Sequence, residues 1–101
     1  MRLRHYTNTK GIDGIEDSGR IIPNDQGRVF AERASRKPLP KSAAERKYGI
    51  QIGRGRHYVE FDVDENEVAE SYNSVMKVTE ITFWGPVELS NRNPVYVRRK
   101  V

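Results

Sequence analysis

The strongest constraint on the fold is the regular alternation of apolar and polar side chains in residues 58–63. The apolar positions hold Val59, Phe61 and Val63, and the polar positions hold Tyr58, Glu60 and Asp62. Because successive side chains of a strand point to opposite faces, this pattern predicts a strand with one face in the core. The other face would present a phenol and two carboxylates in a row.

Shorter segments predict the remaining elements. Strands are expected over 3–6, 20–22, 28–31, 76–78, 80–84, 87–89 and 94–97, and a turn or helical turn over 64–70. A first helix is expected over 8–19, with Thr7 or Asn8 as its cap. In a second, short helix that stops at Gly49, Ser42 and Glu45 fit a capping box. The predicted fold class is α+β: a small, strongly bent, mostly antiparallel sheet with two short helices in the N-terminal half.

Size and composition limit what the chain can be. With 101 residues, it is expected to form a single domain over 1–101. It has no cysteine, which excludes disulfides and thiolate metal sites. No stretch approaches the length of a membrane span, and the start lacks a signal-peptide pattern. A cut-out tail of a longer exported protein remains compatible with these features.

The charge is unevenly distributed along the chain. Residues 33–56 contain eight basic side chains and one acidic one, whereas residues 60–80 contain seven acids and one lysine. Such segregation suits a polyanionic ligand such as RNA or a dinucleotide, or an acidic protein partner. An ordinary solvated basic loop is the alternative interpretation.

Three groups are candidates for chemistry. His5 lies where the first strand gives way to a helix, beside backbone N–H groups that suit an anionic or ribose-bearing ligand. His57 follows a glycine-rich loop in which Arg54 and Arg56 can wrap a phosphate. Glu60 and Asp62 are aligned with Tyr58 on the predicted strand, and a carboxylate there can orient a ribose hydroxyl or stabilise an oxocarbenium ion. No spacing of histidines and acids predicts a metal site.

Residues 5–7, 11–15 and 18–21 read His-Tyr-Thr, Gly-Ile-Asp-Gly-Ile and Ser-Gly-Arg-Ile. This series resembles the opening of the His-Tyr-Asp/Glu class of ADP-ribosyltransferase-like toxin domains. Such domains lie at the C-terminal ends of bacterial polymorphic toxins, including contact-dependent inhibition and Rhs proteins. The resemblance implies an ADP-ribosyltransferase-like fold and NAD as the substrate, with no metal.

The resemblance also assigns residues. His5 would hydrogen-bond an NAD ribose with help from Thr7. The aromatic residue that stacks on nicotinamide would be Phe30, where the family has a tyrosine. The acid of the third motif could be Glu60, Asp62 or Glu80. In all, the predicted catalytic residues are His5, His57 and Glu60, and the predicted substrate-binding residues are Tyr6, Thr7, Arg28, Phe30, Arg54, Arg56 and Tyr58.

Three functions compete at this point. The first is an ADP-ribosyltransferase toxin, or its close variant, an NAD hydrolase. The second is a metal-independent ribonuclease toxin cleaving tRNA or rRNA, in which His5 and His57 act as an acid–base pair in one cleft. The third is a non-catalytic module whose basic face docks RNA or an acidic protein. Either toxin would be secreted as part of a larger effector, act in the target-cell cytoplasm and be neutralised by a cognate immunity protein.

Overall fold

The structure, a computed structural model, describes residues 1–48, 53–75 and 77–100. Its strands and helices, in chain order, are β1 (Arg2–Thr7), α1 (Thr9–Ser18), β2 (Arg20–Ile21), β3 (Arg28–Arg33), α2 (Lys41–Tyr48), β4 (His57–Asp62), a 3₁₀ turn (Glu65–Glu67), β5 (Val68–Asn73), β6 (Val78–Trp84), β7 (Val87–Glu88) and β8 (Val95–Val97). The predicted α+β class, with two helices early in the chain, is confirmed. No helix in the described part is long and apolar enough to cross a membrane.

Six of the described strands form one sheet, in the order β5-β6-β3-β1-β4-β8, and β2 pairs separately with β7. All recorded pairs are antiparallel, as predicted. β1 lies near the middle of the sheet and pairs with β4 from Arg2↔Asp62 to Thr7↔His57. The N-terminal strand, which carries His5, is therefore held along its whole length by pairing with β4.

The alternation in β4 places its apolar side chains in the core. Val59 and Phe61 are fully buried, and they pack with Leu3 and Ile15 in the main cluster. Tyr58, on the other face, is also buried, because it packs with Tyr6 and Ala44 of α2 in a second cluster. The prediction that this face of β4 is polar and open is thus wrong at Tyr58.

Two local predictions need correction. The segment 64–70 forms the 3₁₀ turn and then enters β5, which runs along the edge of β6 although its sequence does not alternate. The second helix begins at Lys41, and Ser42 lies inside it. Glu45 accepts hydrogen bonds from the amides of Gly53 and Gly55 at 2.8 and 3.1 Å. Gly49, the predicted helix stop, and Met76, in a predicted strand, lie outside the described residues.

Long-range ion pairs neutralise much of the acidic segment. Glu60, Asp62, Glu67 and Glu70 pair with Arg4, Arg2, Arg92 and Arg33, respectively. In contrast, Arg36, Lys37 and Lys41 have no ion-pair partner within the described ranges. The charge segregation seen along the chain therefore persists in the fold mainly as an unmatched basic surface.

Candidate functional site

A split in the sheet creates a large cavity. β1 and β3 are registered only at Leu3↔Arg33 and Arg4↔Glu32. Beyond that point β1 continues along β4, whereas β3 continues along β6 from Ala31 to Arg28. A cavity of about 750 Å³ lies at this divergence, and we call it the β1–β3 cavity. One face of α1, from Lys10 to Ser18, forms one of its walls.

The β1–β3 cavity gathers most of the predicted site residues. Those that line it are His5, Tyr6, Thr7, Arg28, Phe30 and Arg54. Four predicted residues are absent from its lining: Arg56, His57, Tyr58 and Glu60. The cavity is thus lined by predicted residues of β1, β3 and the loop before β4. The predicted residues of β4 itself lie outside it.

His5 bridges the split where backbone pairing stops. Its Nδ1 lies 2.8 Å from the carbonyl oxygen of Phe30. Because a carbonyl only accepts hydrogen bonds, Nδ1 carries the proton in this contact, and the neutral ring keeps Nε2 as an acceptor. Burial lowers the pKa of His5, which favours that neutral form. Nε2 has no hydrogen-bond partner in the described part of the chain, so it is available to a ligand hydroxyl.

The start of α1 packs tightly against Thr7. Asn8, rather than Thr7, caps the helix: its side-chain oxygen accepts from the Gly11 amide at 2.7 Å. A Cβ at Gly11 would stand 1.9 Å from Thr7 Oγ1, so only glycine permits this approach. Thr7 and the first turn of α1 are thereby fixed at the cavity wall.

The cavity lining is electrostatically divided. Lys10, Arg28 and Arg54 line it without an ion-pair partner among the described residues. Glu80 also lines it, and its Oε1 accepts from Asn73 Nδ2 at 3.0 Å. A single ligand could therefore place anionic groups near the cations and an electron-poor centre near a carboxylate.

Only one of the three alternatives for the third-motif acid lies in this cavity. Glu80 lines it, whereas Glu60 pairs with the buried Arg4 at 2.8 Å and Asp62 pairs with Arg2 at 2.9 Å. Hydrogen bonds from Asn93 and then Arg2 lower the pKa of Asp62, so that carboxylate is already satisfied. The geometry favours Glu80 among the three.

A buried polar network forms part of the cavity wall. Arg4 is 2% exposed and pairs with Glu32 at 2.7 Å, and the Tyr6 hydroxyl donates to the same Glu32 oxygen at 2.7 Å. Burial, followed by the bond to Glu32, raises the pKa of Tyr6 to about 12. The Tyr6 hydroxyl also accepts from the Leu39 amide at 3.0 Å. The phenol of Tyr6 is thus a structural group, although the residue borders the cavity.

His57 occupies a different environment from His5. It is 3% exposed, its Nδ1 accepts from the Arg99 amide at 2.9 Å, and its Nε2 lies 2.8 Å from Thr9 Oγ1. Both ring nitrogens are therefore engaged within the fold. Arg56 is directed to the C-terminal segment, where it donates to the carbonyls of Arg99 and Lys100. The cleft shared by both histidines, which the ribonuclease alternative requires, does not form among the described residues.

Sequence reasoning missed several lining residues, among them the charged Lys10 and Glu32. Lys10 is the second residue of α1 and lies on the face of that helix that lines the cavity. Glu32 is paired directly opposite Arg4. The predicted strand ended at residue 31, so no signal in the sequence indicated that Glu32 belongs to β3.

The described residues contain no group of three histidine, cysteine or acidic side chains that could hold a metal ion. In the comparison with protein families, the HYD1 signature containing ADP-ribosyltransferase matches residues 3–93 of this chain. No curated protein and no solved structure gives a significant match. The matched range includes β1, α1, β3 and β6, which together supply most of the cavity lining.

Proposed function

Because the chain belongs to the toxin family of HYD1-signature ADP-ribosyltransferases, we propose that it binds NAD in the β1–β3 cavity and transfers ADP-ribose to a target molecule. The observation that carries this proposal is His5. Its Nδ1 donates to the Phe30 carbonyl across the split, and its ring lines the β1–β3 cavity of about 750 Å³. Its Nε2 has no hydrogen-bond partner among the described residues. That nitrogen can accept a hydrogen bond from a ribose hydroxyl.

The other lining residues supply complementary chemistry. The pyrophosphate of NAD would lie among Lys10, Arg28 and Arg54, which have no competing ion-pair partner within the described segments. The Phe30 ring offers an apolar surface for nicotinamide. Glu80 offers a carboxylate for the ribose that loses nicotinamide.

The reaction breaks the bond between ribose C1′ and the nicotinamide nitrogen. The electron pair leaves with nicotinamide, and the ribose becomes oxocarbenium-like. The Glu80 carboxylate stabilises this positive charge, and His5 holds a ribose hydroxyl in place. A nucleophile on the target then bonds to C1′ and releases its proton, and water in the same role would give NAD hydrolysis.

The direct test is to incubate the purified domain with NAD and to measure released nicotinamide by chromatography. We expect His5→Ala and Glu80→Gln each to reduce the rate by about a hundredfold, because each removes a preorganised polar contact. Glu65→Gln is the matched control, since Glu65 is an exposed acid remote from the cavity lining. If the wild type releases no more nicotinamide than the heat-denatured protein, or if folded His5→Ala is fully active, the proposal is wrong.

The biological setting belongs to the same proposal. The domain would be delivered as part of a larger secreted effector, act in the target-cell cytoplasm, and be blocked by an acidic immunity protein on its basic surface. Family membership and the basic surface of Arg36, Lys37 and Lys41 support this setting. Expression in the bacterial cytoplasm should arrest growth, and His5→Ala should relieve the arrest. Equal toxicity of both forms would contradict it.

A further inference from the structure

Arg28 and Trp84 form an unusual pair beside the cavity. They face each other across β3 and β6, and the Arg28 guanidinium carbon lies 4.6 Å from the centre of the Trp84 ring. Arg28 Nε is buried without a hydrogen-bond partner, and no other buried side-chain nitrogen or oxygen within the described ranges is left in this state. The terminal guanidinium nitrogens also have no hydrogen-bond partner in the described part of the chain, but they are not buried in this way. Because donors without an acceptor are costly, these accessible nitrogens suit an anionic ligand.

The pair lies at the boundary between the cavity and solvent. Arg28 lines the β1–β3 cavity, whereas Trp84 lies outside its lining and is 57% exposed. An exposed indole of this size at the edge of a cavity is a surface on which a planar ring can stack. A ligand that contacts both residues would need an anionic oxygen for the guanidinium and an aromatic ring for the indole.

We propose that Arg28 and Trp84 form a nucleotide subsite, in which a base stacks on Trp84 and the attached phosphate binds Arg28. A guanidinium suits phosphate because it is planar and offers several donors, and stacking on tryptophan tolerates any base. The ligand that we assign to this subsite rests on the proposed function. The nucleotide is either the adenylate half of NAD or a nucleotide of a nucleic-acid acceptor.

The chain provides its own reporter for this site. Trp84 is the only tryptophan in the sequence, so intrinsic fluorescence observes the subsite directly. We expect ADP to change this fluorescence with an affinity at least about tenfold higher than that of adenosine or of inorganic phosphate, because only ADP combines base and phosphate. Absence of a response to ADP, or equal affinities for ADP and phosphate, would overturn the subsite.

Matched variants separate the subsite from general charge. Arg28→Gln should weaken ADP binding by about tenfold or more, and Arg28→Lys, which keeps the charge but not the planar fork, should fall in between. Arg36→Gln removes one charge in the same way, but Arg36 does not line the β1–β3 cavity. Equal weakening by Arg36→Gln would show that only net charge matters and would overturn the proposal. Trp84→Ala should also weaken ADP binding, which calorimetry measures because this variant has no tryptophan fluorescence. Unchanged ADP binding by Trp84→Ala would also overturn the proposal.

Two further arms identify the source and separate this proposal from the previous one. If saturating NAD displaces ADP, the subsite serves the adenylate half. If a single-stranded oligonucleotide still changes Trp84 fluorescence in saturating NAD, the subsite serves an acceptor. Binding is measured without turnover, so ADP binding by a wild type that cleaves no NAD would refute the proposed function and leave the subsite intact. NAD cleavage without any Trp84 response would refute only the subsite.

Discussion

At the scale of single residues, the tautomer of His5 determines what the cavity can do. The Phe30 carbonyl accepts the Nδ1 proton, so the role we propose requires a neutral ring with Nε2 free. A protonated ring would present a donor at Nε2 instead and could not accept from a hydroxyl. The acid limb of activity should therefore report the pKa of His5.

The first prediction follows from the direction of that pKa shift. Burial lowers the pKa of His5 below its ordinary value of 6.5, so NAD cleavage should persist below pH 6.5 and fall only at lower pH, as the ring becomes protonated. The measurement is kcat/KM for NAD against pH, with circular dichroism at each point to exclude unfolding. An acid limb centred above pH 6.5 in a folded protein would contradict this assignment.

At the scale of secondary-structure elements, α1 carries two glycines in opposite situations. A Cβ at Gly11 would collide with Thr7 Oγ1, whereas a Cβ at Gly14 would meet no heavy atom within 4 Å. Gly11 therefore permits a close approach, while Gly14 only lowers helix propensity. The two positions form a natural matched pair.

We predict that Gly11→Ala lowers the free energy of unfolding by about 1–3 kcal/mol, because Thr7 or the whole helix must move. Gly14→Ala should raise it by about 0.5–1 kcal/mol, as expected for alanine at an unobstructed helical position. Urea unfolding of the two variants and the wild type measures both values. If Gly11→Ala were as stable as Gly14→Ala, the approach of α1 to Thr7 would not be as tight as described.

The elements also show how far the sequence could predict this fold. The alternation around Phe61 and the cap at Asn8 are local signals, and both correctly placed their elements. β5 escaped prediction because an exposed edge strand needs no apolar face, and its pairing with β6 comes from tertiary context. The site shows the same limit. His5 could be singled out from its position in the sequence. The choice of Glu80 over Glu60 could not, because it depends on the ion pair between Glu60 and Arg4, which are far apart in the sequence.

At the scale of the whole molecule, His57 couples folding to pH. Its pKa is lowered by burial first and then by nearby arginines. Below about pH 6.5 the unfolded chain therefore binds more protons than the folded one, so stability is complete above that pH and declines on acidification. Protonation would also place a hydrogen on Nδ1, which now accepts from the Arg99 amide. The charged groups that act on this ring are Arg56, Arg98, Arg99 and Asp13.

We predict a smaller loss of stability between about pH 7.5 and about pH 5.5 for His57→Gln than for the wild type, because glutamine does not titrate. Some loss should remain, since the pKa of His5 is lowered in the same direction. Carboxylates titrate mainly below this window, as in Glu67, whose pKa the Arg92 hydrogen bond lowers to about 2. The readout is the urea midpoint at each pH. If the pH dependence of stability were unchanged in His57→Gln, His57 would not be its source.

Arg99, in the C-terminal segment, packs against the second core cluster of Tyr6, Ala44 and Tyr58. Arg99 donates to the carbonyls of Leu39, Gly55 and Arg56 at 2.6–2.7 Å, and its guanidinium lies 5.2 Å from the centre of the Tyr58 ring. It therefore joins β4, the loop before β4 and the segment before α2. Its neighbour Arg98 is exposed and forms ion pairs with Asp13 and Glu16 on α1.

These adjacent arginines should differ sharply in their effect on stability. Arg99→Ala removes a charged donor from three carbonyls and should lower the free energy of unfolding by on the order of 3 kcal/mol. Arg98→Ala removes only exposed ion pairs, which solvent and salt screen, so its effect should be small and should shrink further in high salt. Thermal unfolding of both variants at low and high salt tests this directly. Equal destabilisation by the two substitutions would mean that the C-terminal segment is held by surface charge and not by the Arg99 contacts.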